Sequence, residues 1–300
     1  MSARGADGDP VSGPGADGPG AGASGPGARL RAALEAERPL QVVGAINAYA
    51  ALLAERAGFR ALYLSGAGVA NHSLGLPDLG VIQLADVLTD AARITAATDL
   101  PLLVDIDTGW GHEYTIARSV RELERAGVAA VQIEDQVGAK RCGHRPGKEL
   151  VDADEMVARV RAAVEARDEL LVVARTDAGS VDETVSRAQR YAAAGADVIF
   201  AEALRSLEDV RAVASSVDAP VLVNLTEFGL TPSWTLDELR DAGAAVALYP
   251  LSASRAAARA SERVYQAIRR DGTQAGVLGE MQTRDELYDV LDYLRYEQGQ

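Results

Sequence analysis

From Ala28 onward, short apolar runs rich in valine, isoleucine and leucine alternate with longer segments whose apolar residues recur every three or four positions. The first pattern predicts buried strands and the second amphipathic helices, so the chain reads as repeated strand-helix units around a parallel sheet. A recurring punctuation separates the units. Glu55-Arg56-Ala57-Gly58 precedes Ala61-Leu62-Tyr63-Leu64, and Glu124-Arg125-Ala126-Gly127 precedes Ala129-Ala130-Val131-Gln132-Ile133. Ala194-Gly195 precedes Asp197-Val198-Ile199-Phe200, and Asp241-Ala242-Gly243 precedes Ala245-Val246-Ala247-Leu248. Glycine accepts the left-handed backbone that ends a helix, so each glycine marks a helix stop before a strand. Further runs near Val42, Leu102, Leu171 and Val221 bring the strands to eight. Eight such units predict a (β/α)8 TIM barrel over residues 28–272, with a doubly wound open sheet as the alternative.

The two ends differ from this body. Residues 1–27 hold nine glycines and four prolines and almost nothing bulky, the composition of a disordered leader rather than of a signal peptide. Residues 273–300 form an extension beyond the eighth unit, where Leu287, Val290, Leu291 and Leu294 at helical spacing predict a helix that packs on a neighbour or a second chain. The formal charge of -14 disfavours nucleic acid and anionic membrane surfaces as partners. One cysteine and three histidines leave little for zinc or iron-sulfur chemistry, and a cytoplasmic location is expected.

The carboxyl ends of the strands carry Asn47, Ser65, Asp105 with Asp107, Glu134 with Asp135, Arg175 with Asp177, Glu202, Asn224 with Thr226, and Tyr249 with Ser252. In a βα barrel these ends converge on one mouth, where barrel enzymes place their chemistry. Strand side chains alternate faces, so Asp105 and Asp107 project to the same side, and Glu134 adds a third carboxylate from the next strand. Clustered anions repel unless a proton or metal intervenes. Mg2+ is the natural guest, since it uses one or two carboxylates and keeps waters that a substrate can replace; Mn2+ could substitute. The alternative is that these acids cap helices or pair with arginines.

The loop Gly138-Ala139-Lys140-Arg141-Cys142-Gly143-His144-Arg145-Pro146-Gly147-Lys148 stands out by its cations. Of 30 lysines plus arginines only Lys140 and Lys148 are lysines, and they flank the single cysteine together with Arg141, His144 and Arg145. Nearby positive charge favours a thiolate, so Cys142 is a candidate proton donor or acceptor on a flap, assisted by Lys140 and His144. The competing reading is a solvated basic loop. Neither lysine lies on a strand, which excludes a Schiff base inside the barrel and leaves metal-assisted carbon-carbon chemistry. Arg175 offers a fork for a carboxylate, or pairs with an acid such as Glu202.

These residues resemble the isocitrate lyase and phosphoenolpyruvate mutase superfamily. The likeness runs through Tyr63-Leu64-Ser65-Gly66, Gly75-Leu76-Pro77-Asp78-Leu79-Gly80, Leu103-Val104-Asp105-Ile106-Asp107-Thr108-Gly109, Ile133-Glu134-Asp135-Gln136 and Lys140-Arg141-Cys142-Gly143-His144. Cys142-Gly143-His144-Arg145-Pro146, Asn224-Leu225-Thr226-Glu227-Phe228-Gly229, Leu248-Tyr249-Pro250-Leu251-Ser252 and Met281-Gln282-Thr283-Arg284 look like the branch that cleaves 2-methylisocitrate. The match spans about Leu30 to Glu297.

The resemblance implies a Mg2+-dependent retro-Claisen cleavage of that small tricarboxylate into pyruvate and succinate, the closing step of the methylcitrate route for propionate. It implies that Asp105 holds the ion, with Asp78, Asp107 and Glu134 acting directly or through water. Ser65, Gly66 and Ala67 would cradle the pyruvate portion, Gly143 would line the same site, and Arg175, Asn224 and Thr226 would hold substrate carboxylates. Glu202 would orient Arg175, while Phe200 and Leu248 would flank the substrate methyl. Cys142 would protonate the succinate carbanion, and Tyr63 is the candidate base. A homotetramer with swapped C-terminal helices is also implied. Three positions depart from the family pattern: Gln132 stands where histidine is common, Ala67 where glycine is frequent, and Ala201 where proline is frequent. Related readings are a lyase for isocitrate, dimethylmalate or oxaloacetate, and a barrel that binds a small acid as a sensor or scaffold.

Overall fold

The computed structural model describes residues 25–299. Eight parallel strands close on themselves in sequence order: β1 (Leu40–Gly44), β2 (Ala61–Leu64), β3 (Leu102–Asp105), β4 (Ala130–Glu134), β5 (Leu171–Thr176), β6 (Val198–Ala201), β7 (Val221–Asn224) and β8 (Val246–Tyr249). The (β/α)8 barrel is therefore the fold, and the open-sheet alternative falls. The predicted helix stops hold as well, with Gly58, Gly127, Gly195 and Gly243 at φ between 83° and 103°. A β-carbon strains that backbone, so glycine occupies it.

Because the side chains alternate, each strand feeds two cores. Leu62, Leu64, Val104, Val131, Val172 and Ile199 face the surrounding helices, whereas Leu40, Ala61, Leu103, Ala130, Leu171, Val198, Leu222 and Val246 fill the barrel interior. The helix Pro26–Ala36 brings Leu30 and Ala33 against this inner set and plugs it from below. That helix begins two residues inside the stretch expected as leader, because Pro26 suits a first helical turn and Gly27 leaves room for the Glu169 backbone. The rest of the expected leader lies outside the described residues.

Going up the barrel, the inward positions change from apolar to polar at one height. Above Leu103 comes Asp105, above Ala130 comes Gln132 and then Glu134, above Val173 comes Arg175, and above Phe200 comes Glu202. The parallel register sets Asp105 beside Gln132 and Glu134 beside Arg175, and Arg175 in turn beside Phe200. Sequence spacing thus becomes a polar ring at the mouth.

Past the long helix Ser252–Asp271, Gly272 turns left-handed at φ 70° and the chain breaks into a 3-10 turn (Ala275–Glu280) and short helices Arg284–Val290 and Tyr293–Glu297. The extension expected as one helix is interrupted at Met281 and Thr283, where the backbone is extended, and again at Asp292, whose backbone is left-handed. It touches the barrel through Tyr49, whose hydroxyl donates to Gln282 at 2.6 Å, and through an Arg56 to Asp289 ion pair, while Leu278, Leu294 and Tyr296 stay exposed. Among the described residues no helix is long and apolar enough to cross a membrane.

Candidate active site

Three short structures position the floor of the mouth. Asp105 ends β3 and is held by three donors: the Gly66 amide at 3.1 Å, the Asp107 amide at 3.0 Å and the Gln132 side chain at 3.1 Å. A β-carbon on Gly66 would come within 2.9 Å of Asp107 and 3.1 Å of Asp105, so only glycine brings that amide so near the acids. Asp107 itself sits at φ 49°, an unusual backbone for a side chain other than glycine, and turns its carboxylate back into the mouth. Burial, and next the Asp105 charge, push the Asp107 carboxyl up to about 7. Burial also drives Glu134 well above the ordinary carboxylate range, against the pull of Arg175.

Lys140 reaches down from the flap to this floor. Its ammonium lies 2.5 Å from Asp78 and 2.9 Å from Asp107. Burial alone would weaken its base strength, but Asp107, Glu134, Asp105 and Asp78 together outweigh that and keep it charged. Lys140 therefore answers the acids rather than the thiol, contrary to the expectation that it sets the charge of Cys142. Lys148 likewise pairs with Asp177 at 3.2 Å.

The flap is gripped at its stem by a bridge between Gln136 and Leu150 and is laid across the mouth. His144 is its anchor. The Leu230 amide donates to His144 Nδ1 at 2.9 Å, so Nε2 carries the hydrogen and points it at Glu202 Oε1, 2.9 Å away. Burial would raise the Glu202 carboxyl, yet Arg175 and His144 hold it at about 2. Gly143 passes so close beneath that an added β-carbon would lie 2.4 Å from Arg175 Nη2. Cys142, half-buried, lines the cleft beside it.

Arg175 is claimed by three acids: Asp177 at 2.8 Å, Glu202 at 3.2 Å and Glu134 at 3.4 Å. Its guanidinium also stacks over Phe200, 5.2 Å from the ring centre. The acid-pairing alternative is thus realised, and any carboxylate bound by Arg175 shares it with these partners. Asn224 donates to both Glu202 oxygens at 3.2 and 3.3 Å, which leaves its own buried Oδ1 without a partner. One cleft of about 680 Å³ gathers Ser65, Ala67, Asp78 and Asp105 on one side with Arg175, Phe200 and Glu202 on the other. Tyr63, Asn224, Thr226 and Leu248 complete its walls, and the flap residues Lys140, Cys142, Gly143 and His144 roof it. Gly66, Asp107 and Glu134 lie just beneath that surface.

Tyr63 lines the cleft and is tied into the wall beneath it. Burial, then Asp105, raises the phenol well above its ordinary range, and its hydroxyl donates to Gln132 Oε1 at 2.7 Å. Asp135 leaves the mouth altogether, accepting from the Asp177 amide, the Tyr191 hydroxyl and Arg187 on the outer side of the barrel. Asn47 caps the helix Ala48–Arg56.

Residues 30–269 match the phosphoenolpyruvate phosphomutase family. A 2-methylisocitrate lyase of Shewanella oneidensis is 56% identical over 274 residues, which cover 90% of this chain and 94% of that protein. This chain belongs to the 2-methylisocitrate lyase branch of the phosphoenolpyruvate mutase/isocitrate lyase superfamily. Solved relatives agree with the placement. The crystal structure of a 2,3-dimethylmalate lyase of the superfamily superposes with a TM-score of 0.84 at 37% identity, covering 91% of this chain and 94% of that one. A phosphonopyruvate hydrolase complex with oxalate and Mg2+ superposes with a TM-score of 0.80 at 28% identity, over 91% and 97% of the two chains.

The mouth of this lyase fits a divalent cation. Asp107 is ion-paired with Lys140 at 2.9 Å, and Glu134 Oε1 is buried without a hydrogen-bond partner. Five carboxylates, Asp78, Asp107, Glu134, Asp177 and Glu202, pair with three permanent cations, Lys140, Lys148 and Arg175, and Asp105 lies among them on its three hydrogen-bond donors. Among the described residues no three acid, histidine or cysteine side chains converge tightly enough to enclose an ion unaided. Sequence reasoning gave no site role to Asp177, which clamps Arg175 and Lys148, or to Arg255, which lines the cleft from the helix after β8.

Proposed function

We propose that the chain cleaves 2-methylisocitrate into pyruvate and succinate with Mg2+, or Mn2+ in its place, and that Cys142 supplies the proton to the succinate carbon. The observation that carries this reading is a floor of buried acids at the strand ends, with Asp78 and Asp105 lining one cleft opposite the flap that holds the single thiol. In the reaction the substrate hydroxyl loses its proton, the C2–C3 bond breaks, and C2 becomes the keto carbon of pyruvate. The bonding pair stays on C3, and the Cys142 thiol gives C3 its proton. When bound, the ion offsets the negative charge gathered on the hydroxyl and carboxylate oxygens of the pyruvate half.

Asp105 is the leading candidate to hold that ion, with Asp78, Asp107 and Glu134 contacting it directly or through water. Ser65, Gly66 and Ala67 face the pyruvate half, while Arg175, Asn224 and Thr226 face the succinate carboxylates. Phe200 and Leu248 form the apolar surface for the methyl, and His144 with Gly143 seats the flap. Tyr63 keeps its hydroxyl donated to Gln132, and the substrate proton passes to water in the cleft. The exposed Leu278, Leu294 and Tyr296 support a homotetramer joined through the extension, and the reaction belongs in the cytoplasm, closing the methylcitrate route.

Product analysis tests the substrate. Pyruvate formed from 2-methylisocitrate with Mg2+ should far exceed glyoxylate formed from isocitrate and product from 2,3-dimethylmalate. A pocket for one methyl discriminates by about 1–3 kcal/mol, so some isocitrate turnover is compatible. The reverse order of rates overturns the reading.

The floor also sets a pH dependence. The Asp107 carboxyl, lifted to about 7, retains a proton at mildly acid pH that must leave when a cation binds. Mg2+ affinity should therefore fall as pH drops below about 7, and binding near that pH should release protons. Calorimetry in buffers of different ionisation enthalpy measures the release. Proton release that is absent at pH 6 to 7 would show that the floor is already ionised.

A further inference from the structure

A single amide bridges Tyr63 and Asp105. Gln132 is wholly buried in β4, accepts the Tyr63 hydroxyl at Oε1 (2.7 Å) and donates from Nε2 to Asp105 Oδ1 (3.1 Å). A carboxylate only accepts, so the amide nitrogen must face Asp105 and the amide oxygen must face the phenol. The phenol must then donate. The chain Tyr63 to Gln132 to Asp105 has one polarity, and it commits the Tyr63 proton away from the cleft that Tyr63 lines. What Tyr63 offers a ligand is lone pairs alone. Asp105, meanwhile, takes its orientation from Gln132 together with the backbone amides of Gly66 and Asp107.

We propose that Gln132 is a positioning residue with two effects. It makes Tyr63 an acceptor, so that the cleft prefers a bound acid with a hydroxyl hydrogen at the neighbouring carbon over one with a keto oxygen there. It also holds the Asp105 carboxylate ready for a divalent cation. The first effect rests on the proposed hydroxy-acid site and the second on the proposed cation site at Asp105.

Gln132→Met retains the length of the side chain and removes both hydrogen bonds, and Gln132→Leu carries the same expectation should the first variant fail to fold. Calorimetry with Mg2+ alone should show affinity lowered by about 10- to 100-fold, the usual cost of losing a group that orients a metal ligand. Inhibition constants for lactate and pyruvate, the same acid with a hydroxyl or a keto oxygen, should show the preference for lactate reduced roughly 10-fold, the scale of one hydrogen bond. Tyr63→Phe should erase that preference, and Gln132→Met added to it should change the ratio no further, whereas a merely structural role would make the two effects independent. Gln132→His, with one donor and one acceptor nitrogen, should restore both properties. Unchanged Mg2+ affinity together with an unchanged lactate-to-pyruvate ratio in a folded Gln132→Met protein overturns the proposal. A wild-type protein that binds neither acid would remove the first effect and count against the proposed function, while the Mg2+ titration would still decide the second.

Discussion

Cys142→Ser should lower turnover of 2-methylisocitrate by about 10²- to 10⁴-fold, the range that a placed general acid contributes, and leave the binding of Mg2+ and of pyruvate unchanged. The contrast follows from where the thiol sits. Cys142 lines the cleft but makes none of the contacts that seat the flap, which come from Lys140 on Asp78 and Asp107, His144 on Glu202 and the Leu230 amide, and Lys148 on Asp177. Serine fits the same space, so the flap still closes. What changes is acidity: a thiol ionises near pH 8.5 in the absence of neighbours, whereas an alcohol gives up its proton far less readily to a carbanion. No second cysteine exists to replace it. Turnover measured with calorimetric titration of Mg2+ and pyruvate separates the two effects. Unaltered turnover would remove Cys142 as the proton donor; lost pyruvate binding would give the thiol a structural role instead.

The barrel was legible because its rule is repetitive. Every second unit ends a helix with a glycine before a buried strand, and the mark at Gly58, Gly127, Gly195 and Gly243 falls on left-handed backbone in all four cases. The acids at the strand ends were legible for the same reason, since period-two alternation fixes which face Asp105 and Glu134 take. What alternation does not reveal is the partner. Asp107 turns its carboxylate to the mouth through a left-handed backbone, and Asp135, next to Glu134 at the end of β4, turns outward to Tyr191 and Arg187. The lysines of the flap were visible as a cluster, yet their targets lie tens of residues away, so charge near Cys142 in sequence became charge on Asp78, Asp107 and Asp177 in space. Gln132 appeared as a departure from a pattern, and its meaning emerged only once Tyr63 and Asp105 stood on either side of it.

Gly143→Ala should cost turnover about 10²-fold or more, the scale set by a misplacement of roughly 1 Å at a reacting centre, with little change in thermal stability. Gly143 does not require glycine for its backbone, because its φ is not among the left-handed values of the chain. The demand is for space. A β-carbon there would lie 2.4 Å from Arg175 Nη2, 2.5 Å from Glu202 Cγ and 2.6 Å from Asp177 Oδ1. Those three side chains are buried and bind one another, so they have little freedom to withdraw. The flap is the more yielding partner: it is a loop roofing an open cleft, and its seat is a handful of polar contacts. The methyl group should therefore lift the flap and carry the Cys142 sulfur away from the floor. Gly138, in the same loop, provides the control, since its added β-carbon meets nothing within 4 Å and its φ is also ordinary. Gly138→Ala should retain near wild-type turnover, and proteolysis of the flap should accelerate in Gly143→Ala alone. If both variants turn over equally, the contact of Gly143 with Arg175 and Glu202 does not govern closure, and the flap must reach its working position by another seat.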